Sequence, residues 1–182
     1  MDNRYVKIFA SGSKAPLKAT PGHFATNHAH INYYLDMTTL KTRLSEAQEV
    51  AKHLAERFLF DKVVDTIVCL EGTQVIGAYL AEELTRAGVL STNAHKTIYV
   101  ITPEYNSNSQ MVFRENILPM VHGKNVVILT AVVTTGLSLN KSIEAIQYYG
   151  GKLQSAAAVF STLDELNGCP ITSIYSPEDV TD

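Results

Sequence analysis

Apolar positions along the chain fall into two rhythms, short unbroken runs and stripes of period 3.6, and their alternation predicts the elements. Residues 63–70, 97–102, 126–129, 155–160 and 171–175 read as strands. Across 44–60, Ala47, Val50, Ala51, Leu54 and Phe58 share one helical stripe, with Ser45 and Gln48 as a capping box at its start. A second helix turns Ile76, Leu80, Leu84 and Ala87 inward and stops at Gly88. A third turns Leu139, Ile143 and Ile146 inward and stops at Gly150 and Gly151. A short helix is expected at 163–166. This repeated strand–helix–strand order predicts an α/β fold: a doubly wound, largely parallel sheet flanked by helices. The chain reads as one domain over 1–182, with an aperiodic segment at 1–41, rich in His, Tyr, Asn and Thr, ahead of an α/β core at 42–182.

The stretch that organises the core is 126–151. Val126, Val127, Ile128 and Leu129 have the composition of a strand buried on both faces. Thr134, Thr135, Gly136, Leu137 and Ser138 then lead into the third helix. A hydroxyl-rich turn with a glycine at a helix opening is a ready anion site, because turn N–H groups and the positive helix end converge there. A second strand–turn–helix passes through Glu71, Gly72 and Thr73. Its glycine permits close approach of an anion. Glu71 suits an anion only if its carboxylate points away or acts through a cation, and the same residues also fit a plain βα turn.

A length of 182 residues is enough for one well-buried core, and 46% apolar with 18% charged residues fits an ordinary globular chain. A net charge of −3 gives no general attraction to nucleic acid or membranes, so neither is expected as a partner. No apolar run approaches the roughly 20 residues that span a bilayer, and MDNRYVKIFA lacks the apolar core of a signal peptide. The expected location is the cytoplasm. Cys69 lies in an apolar run and Cys169 in a turn, too isolated for a disulfide or metal pair; Cys69 reads as a small core residue. His23, His28 and His30 invite a metal reading, but no carboxylate or Cys stands at ligand spacing, so no metal site is expected. No GxGxxG or Walker pattern supports another nucleotide-binding α/β class.

The central stretch resembles the 5-phosphoribosyl-1-pyrophosphate (PRPP) motif of type I phosphoribosyltransferases: four apolar residues, two acidic, two apolar, then Thr-Thr-Gly-x-Ser/Thr. Every position matches except the acidic pair, where Thr130 and Ala131 stand. Within that family the chain looks most like orotate phosphoribosyltransferases. Gly22, His23 and Phe24, then Asn32, Tyr33, Tyr34, Leu35 and Asp36, resemble the segment that forms a small N-terminal hood over the base, with Asn27 and His28 where Ser-Gly would be. The resemblance implies a phosphate cradle at Thr134, Thr135, Gly136, Leu137 and Ser138. It also implies a pyrophosphate loop at Glu71, Gly72 and Thr73, and loop or base contacts from Arg114, Phe24 and Tyr34. It further implies a small phosphoribosyl or nucleotide ligand of pyrimidine metabolism, Mg2+ as companion of PRPP, and a homodimer. The family's Arg-Lys pair is absent after residues 97–102, where Pro103 and Glu104 follow, and its loop lysine is absent from 104–123. Three altered parts of the transfer machinery beside an intact phosphate turn leave two readings: a phosphoribosyltransferase, or a non-catalytic module sensing a nucleotide or PRPP.

Overall fold

The computed structural model describes residues 5–25, 30–86 and 90–180, with the side chains of 23–25, 30–32 and 58–59 outside that description. Three strands come first: β1 (Val6–Phe9), β2 (Pro16–Ala25) and β3 (His30–Asp36) pair antiparallel in that order. Ala15, Leu17 and Ala19 are buried while Pro16, Lys18 and Thr20 between them are partly exposed, the period of 2 expected of a half-buried strand. The 1–41 segment, aperiodic in the sequence reading, therefore contains a small sheet. Tyr175 pins it to the core: its hydroxyl accepts the Ala10 N–H at 3.1 Å and lies 3.1 Å from the Ile8 carbonyl and 3.2 Å from that of Ala15.

Two helices follow, α1 (Thr38–Thr42) and α2 (Leu44–Leu54), the second continued by a π turn at Ala55–Leu59. The expected capping box is not formed. Arg43 takes the N-cap position of α2, so Ser45 already lies inside the first turn and no side chain caps the end.

The main sheet contains β4 (Thr66–Cys69), β5 (Tyr99–Ile101), β8 (Asn125–Val133), β9 (Lys152–Ser161), β10 (Glu165–Leu166) and β11 (Cys169–Tyr175). The intervening β6 (Glu104–Tyr105) and β7 (Met111–Val112) make a separate hairpin. The order is β10-β11-β9-β8-β4-β5, parallel throughout except for β10. The helices α3 (Gln74–Thr85) and α4 (Leu137–Tyr148) follow β4 and β8. The doubly wound, largely parallel sheet read from the periodicity is thus present, with each predicted strand shifted at its ends. Alternation along β8 feeds two cores: Val127, Leu129 and Ala131 join one and Val126 and Ile128 the other, the phase shifting at the strand's end, where Val133 joins the second.

Residues 163–166 form no helix. Asn167 and Gly168 both have positive φ, 50° and 80°, and turn β10 back onto β11 as a two-residue hairpin. Cys69 is buried at 2% exposure, and burial pushes its thiol up to about 12. A Cβ on Gly77 of α3 would stand 2.4 Å from its sulfur, so glycine there lets the helix lie directly on β4. Ala87 and Gly88, read as the end of this helix, lie outside the described residues.

Candidate functional site

β4 and β8 are adjacent and parallel, with Cys69 opposite Leu129, so the turns after them open side by side at one edge of the sheet. This is where doubly wound sheets place ligands. A cavity of about 320 Å³ occupies the edge. Thr130, Thr134, Thr135, Gly136, Leu137 and Ser138 line it from β8 and its turn, Leu70 and Glu71 from the neighbouring turn, Tyr33, Tyr34 and Leu35 from the hood, and Phe160 from β9. Tyr33 meets Phe160 edge to face at 5.9 Å between ring centres, which joins the hood to the sheet. Burial raises the Tyr33 phenol, leaving it a neutral hydroxyl.

The 134–138 turn is built for an open helix end. Gly136, the N-cap of α4, is left-handed at φ 82° and no side chain caps the helix. The nearest candidate, the Thr135 hydroxyl, stands 3.4 Å from the Leu137 N–H, too long for a good bond. Leu163 and Leu166 press on the back of Gly136, where a Cβ would meet each at 3.1 Å. The Thr162 hydroxyl bonds the Thr134 carbonyl and its N–H bonds the Val133 carbonyl, fixing the turn from β9. Thr135, Leu137 and Ser138 are exposed.

The second turn differs. Glu71 and Gly72 are both left-handed, φ 55° and 75°. Thr73, the third residue of the expected pyrophosphate loop, is fully buried, and its hydroxyl donates to the Leu70 carbonyl at 2.7 Å, with that of Leu129 at 3.2 Å. That side chain staples the turn to β8 and is withdrawn from the cavity. The pair at the acidic positions is buried alike, Thr130 at 4% and Ala131 at 3%, but Thr130 lines the cavity while Ala131 packs into the core. Arg114 is not among the lining residues; its Nε bonds Glu104 at 2.7 Å on the hairpin side. Tyr34 lies on the cavity wall, whereas the Phe24 side chain falls outside the described residues. Burial, and then the charge of Glu71, raise the phenol of Tyr105 in the hairpin.

One residue escaped the sequence reading. Lys41 of α1 donates from Nζ to the Glu71 carbonyl at 2.9 Å, across 30 positions of sequence. No local pattern marks it, because only the packing of α1 against the core brings it there.

A doubly wound α/β protein with two ligand-type turns under a small antiparallel hood is the class these features define. No family model and no curated protein matches the chain. Solved structures do match. The orotate phosphoribosyltransferase of Mycobacterium tuberculosis H37Rv, in complex with Fe(III) dicitrate, has a TM-score of 0.62 at 15% identity, over 91% of this chain and 93% of that one. The same enzyme in complex with PRPP scores 0.60 at 16%, over 81% and 82%. The orotate phosphoribosyltransferase of Aeropyrum pernix scores 0.59 at 18%, over 88% of each chain. The adenine phosphoribosyltransferase of Rhodothermus marinus DSM 4252 scores 0.56 at 15%, over 88% and 93%. The fold is that of the type I phosphoribosyltransferases, and the resemblance read from the PRPP-like motif holds at that level.

Proposed function

We propose that the cavity binds a 5′-phosphorylated ribose compound, PRPP or a nucleotide, with its phosphate on the 134–138 turn. One observation carries this reading: the α4 N-terminus, opened by left-handed Gly136 and uncapped by any side chain, faces the cavity at the sheet edge. Its first N–H groups need acceptors, and a phosphate dianion supplies them at the positive end of the helix. The hydroxyls of Thr135 and Ser138 add donors. The base end lies under the hood beside Tyr33 and Tyr34, and the orotate-type resemblance favours a pyrimidine there. The solved PRPP complex of a protein with this fold supports the assignment.

Binding is better supported than transfer. In transfer a base nitrogen attacks the anomeric carbon of the ribose and pyrophosphate leaves. The resembling family steadies the ribose with two carboxylates, each charge-assisted bond worth about 1.5–3 kcal/mol. Losing both removes about 3–6 kcal/mol, two to four decades in affinity or rate. Thr130 offers one weak acceptor and buried Ala131 none. Any remaining catalysis would come from positioning and electrostatics around the phosphates. These observations favour a nucleotide- or PRPP-sensing module over an active transferase.

Among the described residues no group of three His, Cys, Asp or Glu gathers. Magnesium would arrive on the diphosphate, whose oxygens and waters suit it. A homodimer is proposed from the same resemblance, and sedimentation would test it.

Titration calorimetry with ribose 5-phosphate, PRPP and orotidine monophosphate tests binding; a flat titration for all three rejects the proposal. Pyrophosphate release from PRPP with orotate, uracil and purine bases tests transfer, and robust release with any of them would overturn the sensing reading.

A further inference from the structure

We propose that Lys41 is the specificity-determining cation of this site, holding a second anionic group, the diphosphate of a PRPP-class ligand, against the Glu71–Gly72 turn. The inference deepens the reading above and rests on it for the first phosphate.

Among the described lining residues, the sole charged side chain is the carboxylate of Glu71. A diphosphate entering there would meet one negative group and no positive one, were it not for the ammonium beside the wall. That ammonium is held in place. Leu40, next to it on α1, is buried at 1%, and the Lys41 N–H bonds the Met37 carbonyl at 3.0 Å. Nζ then stands 2.9 Å from the Glu71 carbonyl and 3.9 Å from where a Cβ of Gly72 would be. A lysine head carries three N–H donors, so one bond to the carbonyl leaves two for a ligand.

Competing partners are accounted for. Asp36 is held below the usual carboxylate range first by hydrogen bonds from Thr38, whose N–H donates at 2.9 Å, and least by the charge of Lys41. Among the described residues Lys41 forms no ion pair, while Arg114, expected as a loop or base contact, is bound to Glu104. Gly72 matters on the same count: with no side chain, nothing stands between the ammonium and the turn.

The chemistry that fits is a ligand with two separated anionic groups, one phosphate on the 134–138 turn and a diphosphate on the 71–73 turn. Such a ligand is distinguished from a simple monophosphate ester mainly by Lys41.

The test is titration calorimetry of the full chain with inorganic pyrophosphate and, separately, with ribose 5-phosphate. Lys41→Gln keeps a donor for the Glu71 carbonyl and removes the charge; Lys41→Arg keeps the charge. We expect Lys41→Gln to weaken pyrophosphate about tenfold or more, with ribose 5-phosphate within about twofold of wild type and Lys41→Arg recovering most of the loss. Unchanged pyrophosphate affinity in Lys41→Gln, or an equal loss for both ligands, overturns the assignment and leaves Lys41 a structural tether. Wild-type protein that binds ribose 5-phosphate but not pyrophosphate overturns it as well. Pyrophosphate binding that depends on Lys41, with no binding of ribose 5-phosphate, would instead reject the phosphate reading of the 134–138 turn and uphold this one.

Discussion

The turns after β4 and β8 start alike: parallel neighbouring strands, a glycine with positive φ, a threonine, and a helix. They end in different chemistry. After β8 the glycine is buried against Leu163 and Leu166 while Thr135 faces outward. After β4 Gly72 is exposed and Thr73 is turned inward onto the Leu70 and Leu129 carbonyls. A threonine beside a glycine thus faces outward or becomes a staple according to which of the two residues the core takes. On the proposed reading the turn after β8 would take an anion unaided, whereas the turn after β4 would need the ammonium that α1 brings.

The strongest way to break this contrast is Gly136→Ala. A left-handed alanine costs about 1–2 kcal/mol, and its Cβ would crowd two leucines. We expect a total loss of about 2–3 kcal/mol in urea unfolding, with ribose 5-phosphate binding abolished. Thr135→Val should weaken ribose 5-phosphate about tenfold, close to one hydrogen bond to a charged group, while leaving the melting temperature unchanged. An unaltered affinity would remove that hydroxyl from the site. Thr73→Val should do the reverse, costing about 1 kcal/mol of stability and nothing in ribose 5-phosphate affinity.

A smaller effect, common to both turns, comes from acid. Asp65 ties the far ends of the same strands together, accepting from Lys96 and from the N–H and Nδ2 of Asn125, each at 2.8 Å. Burial alone would raise its carboxyl, but these bonds outweigh it and hold the group below the ordinary range. Its contribution is therefore complete above the unfolded value near about 3.9 and is lost as pH falls through the lower folded value. Unfolding followed across that window should steepen for wild type and flatten for Asp65→Asn. Parallel curves would show that the tie contributes nothing.

The core was legible because β8 opens on an unbroken apolar run and α4 keeps one strict period. Val126 to Leu129 allow only a buried strand, and Leu139, Ile143 and Ile146 only a helix. The hood strands were hidden by the prolines and glycine at 16, 21 and 22, which break the visible alternation of Ala15, Leu17 and Ala19. Leu163 and Leu166 were misread from their spacing of three, although Asn167-Gly168, a hairpin signal, stood next to them. Within the site, the hydroxyls and the glycine of the β8 turn are neighbours in sequence, so local reading could single them out. The inward rotation of Thr73, the burial of Ala131 and the arrival of Lys41 are products of packing between distant elements. Only the folded chain contains them.

The bonds from the Tyr175 hydroxyl to the root of the hood have a kinetic meaning. They close loops of 160 to 167 residues, so the start of the chain can be fastened down only once the last strand of the sheet has docked.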